Sequence, residues 1–222
     1  MSFRQWIGGM AGLLMLVGTL ARAEEAASAP PAYEVVEQAT EQVMAVVQGA
    51  ESYAESDPER YYAEIQVILD PVVDFRGFAR SVMGPYASSQ RYRSLDEAGR
   101  AQLRDQLDRF TEVIRLGLVR TYSKGLLAFG GSRIEVVPPE GVEPSTPRMS
   151  VKQLVFSDEP EPYVLYYQMG RNKQGVWKLR NIIIESVNLG EIYRNQFEAS
   201  ARKFDGDLNS VIDNWTTVEV ES

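Results

Sequence analysis

Asp70 and Asp74 stand four residues apart in LDPVVDF, the i, i+4 spacing that places two carboxylates on one helix face. Acids so paired can share a proton and do general acid–base work. Glu185 is a second acid in an unusual setting, because it closes the apolar run Ile182-Ile183-Ile184. Each has a plainer reading. Asp70 before Pro71 reads as a helix N-cap, with Asp74 in the first turn where the helix dipole favours an acid. Glu185 reads as a rim charge or as an acceptor for neighbouring backbone.

The remaining chemistry is narrow. The 222 residues include no histidine and no cysteine. That removes Ser-His-Asp and Cys-His nucleophiles, the usual zinc ligand sets and any disulfide. There is no P-loop and no G-x-G-x-x-G, and FGGS at 129–132 lacks the strand before and helix after that a phosphate loop needs. The residues therefore predict no catalytic group, no metal and no cofactor. With 31 Asp+Glu against 23 Lys+Arg the net charge is −8. Nucleic acid, which needs clustered cations, is not an expected partner, and passive adsorption to anionic membrane is disfavoured.

What the chain has instead is aromatic and aliphatic surface: 11 Tyr, 8 Phe and 3 Trp, gathered around Phe75–Tyr86, a long helix and the last two strands. The elements that would position them are readable. The spacing of Val36, Ala39, Val43 and Ala50 predicts a helix from Val35. Asp57-Pro58 and Asp70-Pro71 are start signals for two more, and Gly84-Pro85 stops the second. Ser94-Leu95-Asp96-Glu97 reads as a capping box opening a long helix to about residue 124. Four strands follow: Ile134–Val137, Met149–Ser157, Tyr163–Gly170 and Val176–Val187, joined by short turns that imply antiparallel neighbours. Helices return over Leu189–Phe204 and, capped by Asp207, to about Trp215. The order predicts an α+β fold, helices packed on a four-stranded antiparallel sheet.

The N-terminus carries Arg4, an apolar stretch Trp6–Leu20 and Ala21-Arg22-Ala23, the pattern of a secretory leader cut after residue 23. An uncleaved anchor is the alternative, weakened by the shortness of the span. Residues 24–34 are expected as a disordered lead, 35–215 as one domain and 216–222 as a tail. The chain is therefore expected to be exported.

Both alternating sets are apolar or amphipathic in Tyr163–Met169, and both are apolar in Ile182-Ile183-Ile184. Either helices cover the sheet on both sides or one face lines a cavity. VVDFRGFARSVMG (72–84), FTEVIRLGLVRTYSKGL (110–126) and VWKLRNIIIESVNLGEIYRNQF (176–197) resemble the MlaC family of periplasmic phospholipid-binding proteins. Asp74-Phe75, Gly84, Thr121-Tyr122, Trp177-Lys178 and Tyr193-Arg194-x-x-Phe197 carry the likeness. The chain departs from the family at Asn181, Ser186 and Asn188, where the family has an acid, Gly and Ser.

The resemblance implies an NTF2-like α+β fold, a curved sheet and helices around an apolar lipid pocket. It also implies that a diacyl phospholipid is carried between an inner-membrane Mla ABC-transporter complex and an outer-membrane lipoprotein–porin complex, maintaining outer-membrane asymmetry. On it, the expected tail pocket comprises Phe75, Val82 and Met83, then Phe110, Ile114 and Tyr122, then Val164, Tyr166, Ile182 and Ile184, closed by Tyr193. Arg194 is the expected head-group contact. Two rivals stand beside this: an NTF2-like enzyme using Asp74 or Glu185 in an apolar cleft, and an adaptor holding a partner helix in an apolar groove.

Overall fold

The computed structural model describes residues 31–128, 130–138, 146–158 and 160–216; the expected leader, the remainder of the lead before residue 31 and all but the first residue of the tail lie outside these. The described helices are α1 (Ala32–Ala50), α2 (Pro58–Leu69), α3 (Phe75–Met83), α4 (Ser89–Ser94), α5 (Glu97–Leu127), α6 (Leu189–Lys203) and α7 (Leu208–Asp213). The strands are β1 (Arg133–Val137), β2 (Arg148–Phe156), β3 (Tyr163–Arg171), β4 (Trp177–Ile184) and β5 (Val187–Asn188).

Capping chemistry sets most helix ends. Asp57 accepts from the Arg60 amide at 3.2 Å ahead of Pro58, and Asn188 and Asp207 cap α6 and α7 in the same way. Gly84 ends α3 at φ +52, a conformation that favours glycine. Three expected starts move. Asp70 caps the C-terminus of α2 and pairs with Arg115 at 2.9 Å. No helix begins at Pro71, because the β-branched Val72-Val73 finds a partner in β4. The Asp74 amide donates to the Leu179 carbonyl and the Leu179 amide to that of Val72, both at 2.9 Å. Asp74 is then the N-cap of α3, accepting from the Gly77 amide at 2.9 Å. Asp96 caps α5, through the Gly99 amide at 2.8 Å, while Ser94 ends α4. Finally, α1 starts at Ala32, so residues 32–34 of the expected lead are helical, and Ala32 is fully buried against the sheet.

The sheet is an antiparallel meander in the order β1-β2-β3-β4-β5. It has five strands where four were expected, because the run to Val187 folds back at Glu185-Ser186. Both residues have positive φ, +46 and +71. They form a two-residue hairpin pairing Ile183 with Asn188 and Ile184 with Val187. Glycine would fit the backbone at Ser186 with less strain than serine does. A second irregularity lies between β3 and β4: Gln168 faces Asn181 and Met169 faces Leu179, which leaves Arg180 as a bulge residue. Its side chain reaches Asp74 at 2.6 Å.

Three apolar clusters hold these layers together. The first joins α3, α5, α6 and α7 around Phe78, Phe110, Tyr193 and Phe197. The second joins the C-terminal half of α1 to α2 and α5 through Val47, Tyr61, Ile65 and Val119. The third packs the first turns of α1 on the sheet through Ala32, Val36, Val151, Met169 and Trp177.

Candidate functional site

Cross-strand pairing decides which sheet residues can meet, since directly opposed residues point to one face. Leu165 faces Ile184 and Tyr167 faces Ile182 across β3 and β4. Val151 faces Tyr167 across β2 and β3. Because Val151, Met169 and Leu179 pack on α1, this is the helix-covered face. Tyr166 faces Ile183, and Val164 alternates with Leu165, so both lie on the opposite face. The register thus divides the expected set: Ile182 and Ile184 turn toward the helices, whereas Val164 and Tyr166 turn away, and the four do not line one wall.

The helical residues divide as well. Val82, Met83, Phe110, Ile114 and Tyr193 are fully buried in the first cluster, and Phe75 is buried in the second. Tyr122, Ile182 and Ile184 are only half-buried at the edge of the first cluster. Leu118 packs on both the first and second clusters and Ile182 on both the first and third. Incompletely covered apolar side chains therefore form a seam along the cores: Leu118 of α5 between the first and second, Ile182 of β4 between the first and third, Tyr122 and Ile184 at the edge of the first, and half-buried Leu165 of β3 opposite Ile184. Leu118 and Leu165 were not among the expected site residues. Leu118 lay within the inner-face periodicity of the long helix, and Leu165 in an alternation whose inward set could not be chosen without the register.

Polar groups on this side are few. Tyr167 donates to Gln153 Oε1 and Gln153 Nε2 donates to Thr40, both at 2.7 Å, a buried chain tying the sheet to α1. The Tyr122 hydroxyl is buried and makes no well-formed hydrogen bond among the described residues; it lies beside the Tyr193 hydroxyl. Burial pushes the phenol of Tyr61 up to about 12, and raises those of Tyr122, Tyr167 and Tyr193. The ordinary value is 10.0, so above that pH the unfolded chain releases these protons before the folded one does. Stability present below pH 10 is then lost as pH rises, by up to about 1.4 kcal/mol per pH unit for each such tyrosine. Urea midpoints should fall between pH 9 and pH 11, together with tyrosinate absorbance appearing on unfolding; a flat midpoint would contradict this.

The candidate acids are occupied structurally. Asp74 is the α3 cap and the Arg180 partner. Glu185 is exposed and accepts from the Val164 amide. Arg194 donates from Nε to the Ser81 carbonyl at 3.1 Å and from Nη2 to Ser81 Oγ at 3.0 Å, clamping α6 to the end of α3. The strand-to-helix junction is pinned by Asn181, which donates to Gln168 and Asn188 and accepts from the Gly190 amide at 2.9 Å. A β-carbon at Gly190 would meet Asn181 Oδ1 at 2.8 Å. Asn181 and Asn188 thus form one network that closes α6 onto β4. Among the described residues no group of acids could hold a metal ion, and no helix is long and apolar enough to cross a membrane.

The family described as MlaC protein matches residues 37–217. The toluene tolerance protein Ttg2D of Pseudomonas putida is 28% identical over 204 residues, covering 92% of this chain and 87% of that one. A phospholipid-binding protein from Ralstonia solanacearum, solved in complex with a phospholipid, superposes with a TM-score of 0.68. That match covers 83% of this chain and 94% of the other at 20% identity, a likeness of fold. The family match runs from within α1 to beyond α7 and so takes in every wall of the seam: the chain belongs to the MlaC protein family.

Proposed function

We propose that the chain is a periplasmic phospholipid carrier whose seam of half-buried apolar residues opens around acyl chains. The observation that carries this reading is the seam itself, since apolar side chains left incompletely covered along well-packed cores invite an apolar ligand. The buried Tyr122 hydroxyl, which lies beside that of Tyr193, is a polar group within this apolar setting that could donate to an ester oxygen. Exposing two acyl chains of about 30 methylenes to water costs on the order of 25 kcal/mol. A carrier must keep them dry throughout and bind about as well as the bilayer does, so an apolar site with few polar anchors is what the task demands. Family membership supports an inner-membrane Mla ABC-transporter complex and an outer-membrane lipoprotein–porin complex as the partners, and the leader-like N-terminus supports export.

The test is denaturing mass spectrometry of protein purified from cells with an intact envelope. Diacyl phospholipid is expected close to one molecule per chain. Protein recovered empty, and unable to extract lipid from vesicles, would sink the proposal. Asp74 and Glu185 lend the enzyme reading no support, because both have structural partners.

A further inference from the structure

An acidic chain concentrates arginine in one place. A cleft of about 560 Å³ lies between α3, α4 and the first half of α5, with β4 at one edge. Arg76, Arg80, Arg93, Arg104 and Arg180 line it, with Asp74 as the only acid among them. Two of these charges are neutralised, Arg76 by Asp108 and Arg180 by Asp74. The other three have no carboxylate partner among the described residues. Arg80 donates to the Ala87 carbonyl at 3.2 Å and to Ser89 Oγ at 2.7 Å. Arg104 donates to the Tyr92 hydroxyl at 2.6 Å. Neutral acceptors thus hold two guanidinium groups in place without cancelling their charge, which is positive potential organised before any ligand arrives.

The floor has a different character. Leu103 and Leu107 of α5 line the same cleft, each at most 9% exposed. None of the expected tail-pocket residues lines it. α3 stands between the two regions, turning Phe78, Ala79, Val82 and Met83 to the aromatic core and Arg76 and Arg80 to the cleft.

We propose that this cleft docks an acidic segment of a partner protein, its carboxylates on Arg80, Arg93 and Arg104 and an apolar residue against Leu103 and Leu107. Concavity disfavours a flat bilayer, and a small phosphate ion would leave the apolar floor unused; a peptide with acids around an apolar residue uses both. Planar guanidinium groups are suited to carboxylates. The inference is independent of the lipid reading.

The test titrates isotope-labelled full chain with a capped Glu-Glu-Leu-Glu-Glu peptide and follows backbone amide resonances. Saturable shifts confined to α3, α4 and the first half of α5, weakening with added salt, are expected. The triple variant Arg80→Glu, Arg93→Glu, Arg104→Glu should lose at least about tenfold in affinity, and the milder Arg93→Gln, Arg104→Gln variant should lose less. Thermal melts establish that both variants fold, and their phospholipid content by mass spectrometry should be unchanged. An absence of saturable shifts overturns the proposal. So does an equal response to inorganic phosphate, or charge-dependent binding only to phosphatidylglycerol–phosphatidylcholine vesicles.

Discussion

Phe110→Ala is expected to lower the free energy of unfolding by about 3–5 kcal/mol. Phe110 has no exposed surface. Its ring meets Phe197 and Trp215 edge-on, each with centroids 5.0 Å apart. Truncation therefore removes a buried ring and two aromatic contacts, each worth about 0.5–1.5 kcal/mol beyond burial. The cavity would sit where α3, α5 and α6 converge, and helices fixed by so many neighbours cannot collapse to fill it. Val67, which is 73% exposed on α2, supplies the contrast: Val67→Ala should stay within about 0.5 kcal/mol of the parent. Urea denaturation of the two variants measures both. A loss below about 1 kcal/mol for Phe110→Ala, together with a fall in bound lipid, would mean that the ring lines a ligand cavity and does not close a core.

The helices and strands were legible because their signals are local. Asp57-Pro58, Gly84-Pro85 and Asp207 act within a turn of the residues they punctuate, and each stands where the spacing puts it. What failed was local evidence with a distant competitor. Asp70-Pro71 looks like Asp57-Pro58, yet the following Val72-Val73 pairs with a strand more than a hundred residues later. The fifth strand was hidden for a related reason: Glu185 and Ser186 carry no glycine to announce a turn at positive φ. The site was less legible than the fold. A run apolar on both faces gives no parity, and the bulge at Arg180 changes the parity midway along β4. Sequence could name Ile182, Ile184, Val164 and Tyr166 together, but not tell that the first two face the helices and the last two face away.

Ile184→Lys and Ile183→Lys should behave oppositely, although the two residues are adjacent. Ile184 faces Leu165 on the helix-covered side and packs at the edge of the aromatic core. An ammonium there would stand in the seam proposed for acyl chains, where an unpaired charge costs several kcal/mol. Each 1.4 kcal/mol is tenfold in affinity, so co-purifying phospholipid should fall by more than about tenfold. Ile183 faces Tyr166 on the other side, where a lysine can carry its ammonium to water. That variant should keep its lipid. Both lose one half-buried isoleucine, so comparable melting curves would separate binding from stability. Leu165→Lys, on the inward side of the neighbouring strand, should reproduce the Ile184 result. Equal loss of lipid in Ile183→Lys and Ile184→Lys, with both folded, would remove the assignment of the ligand to the inward face. Equal retention would mean that the three isoleucines belong to a sheet covered by protein alone, with lipid held elsewhere.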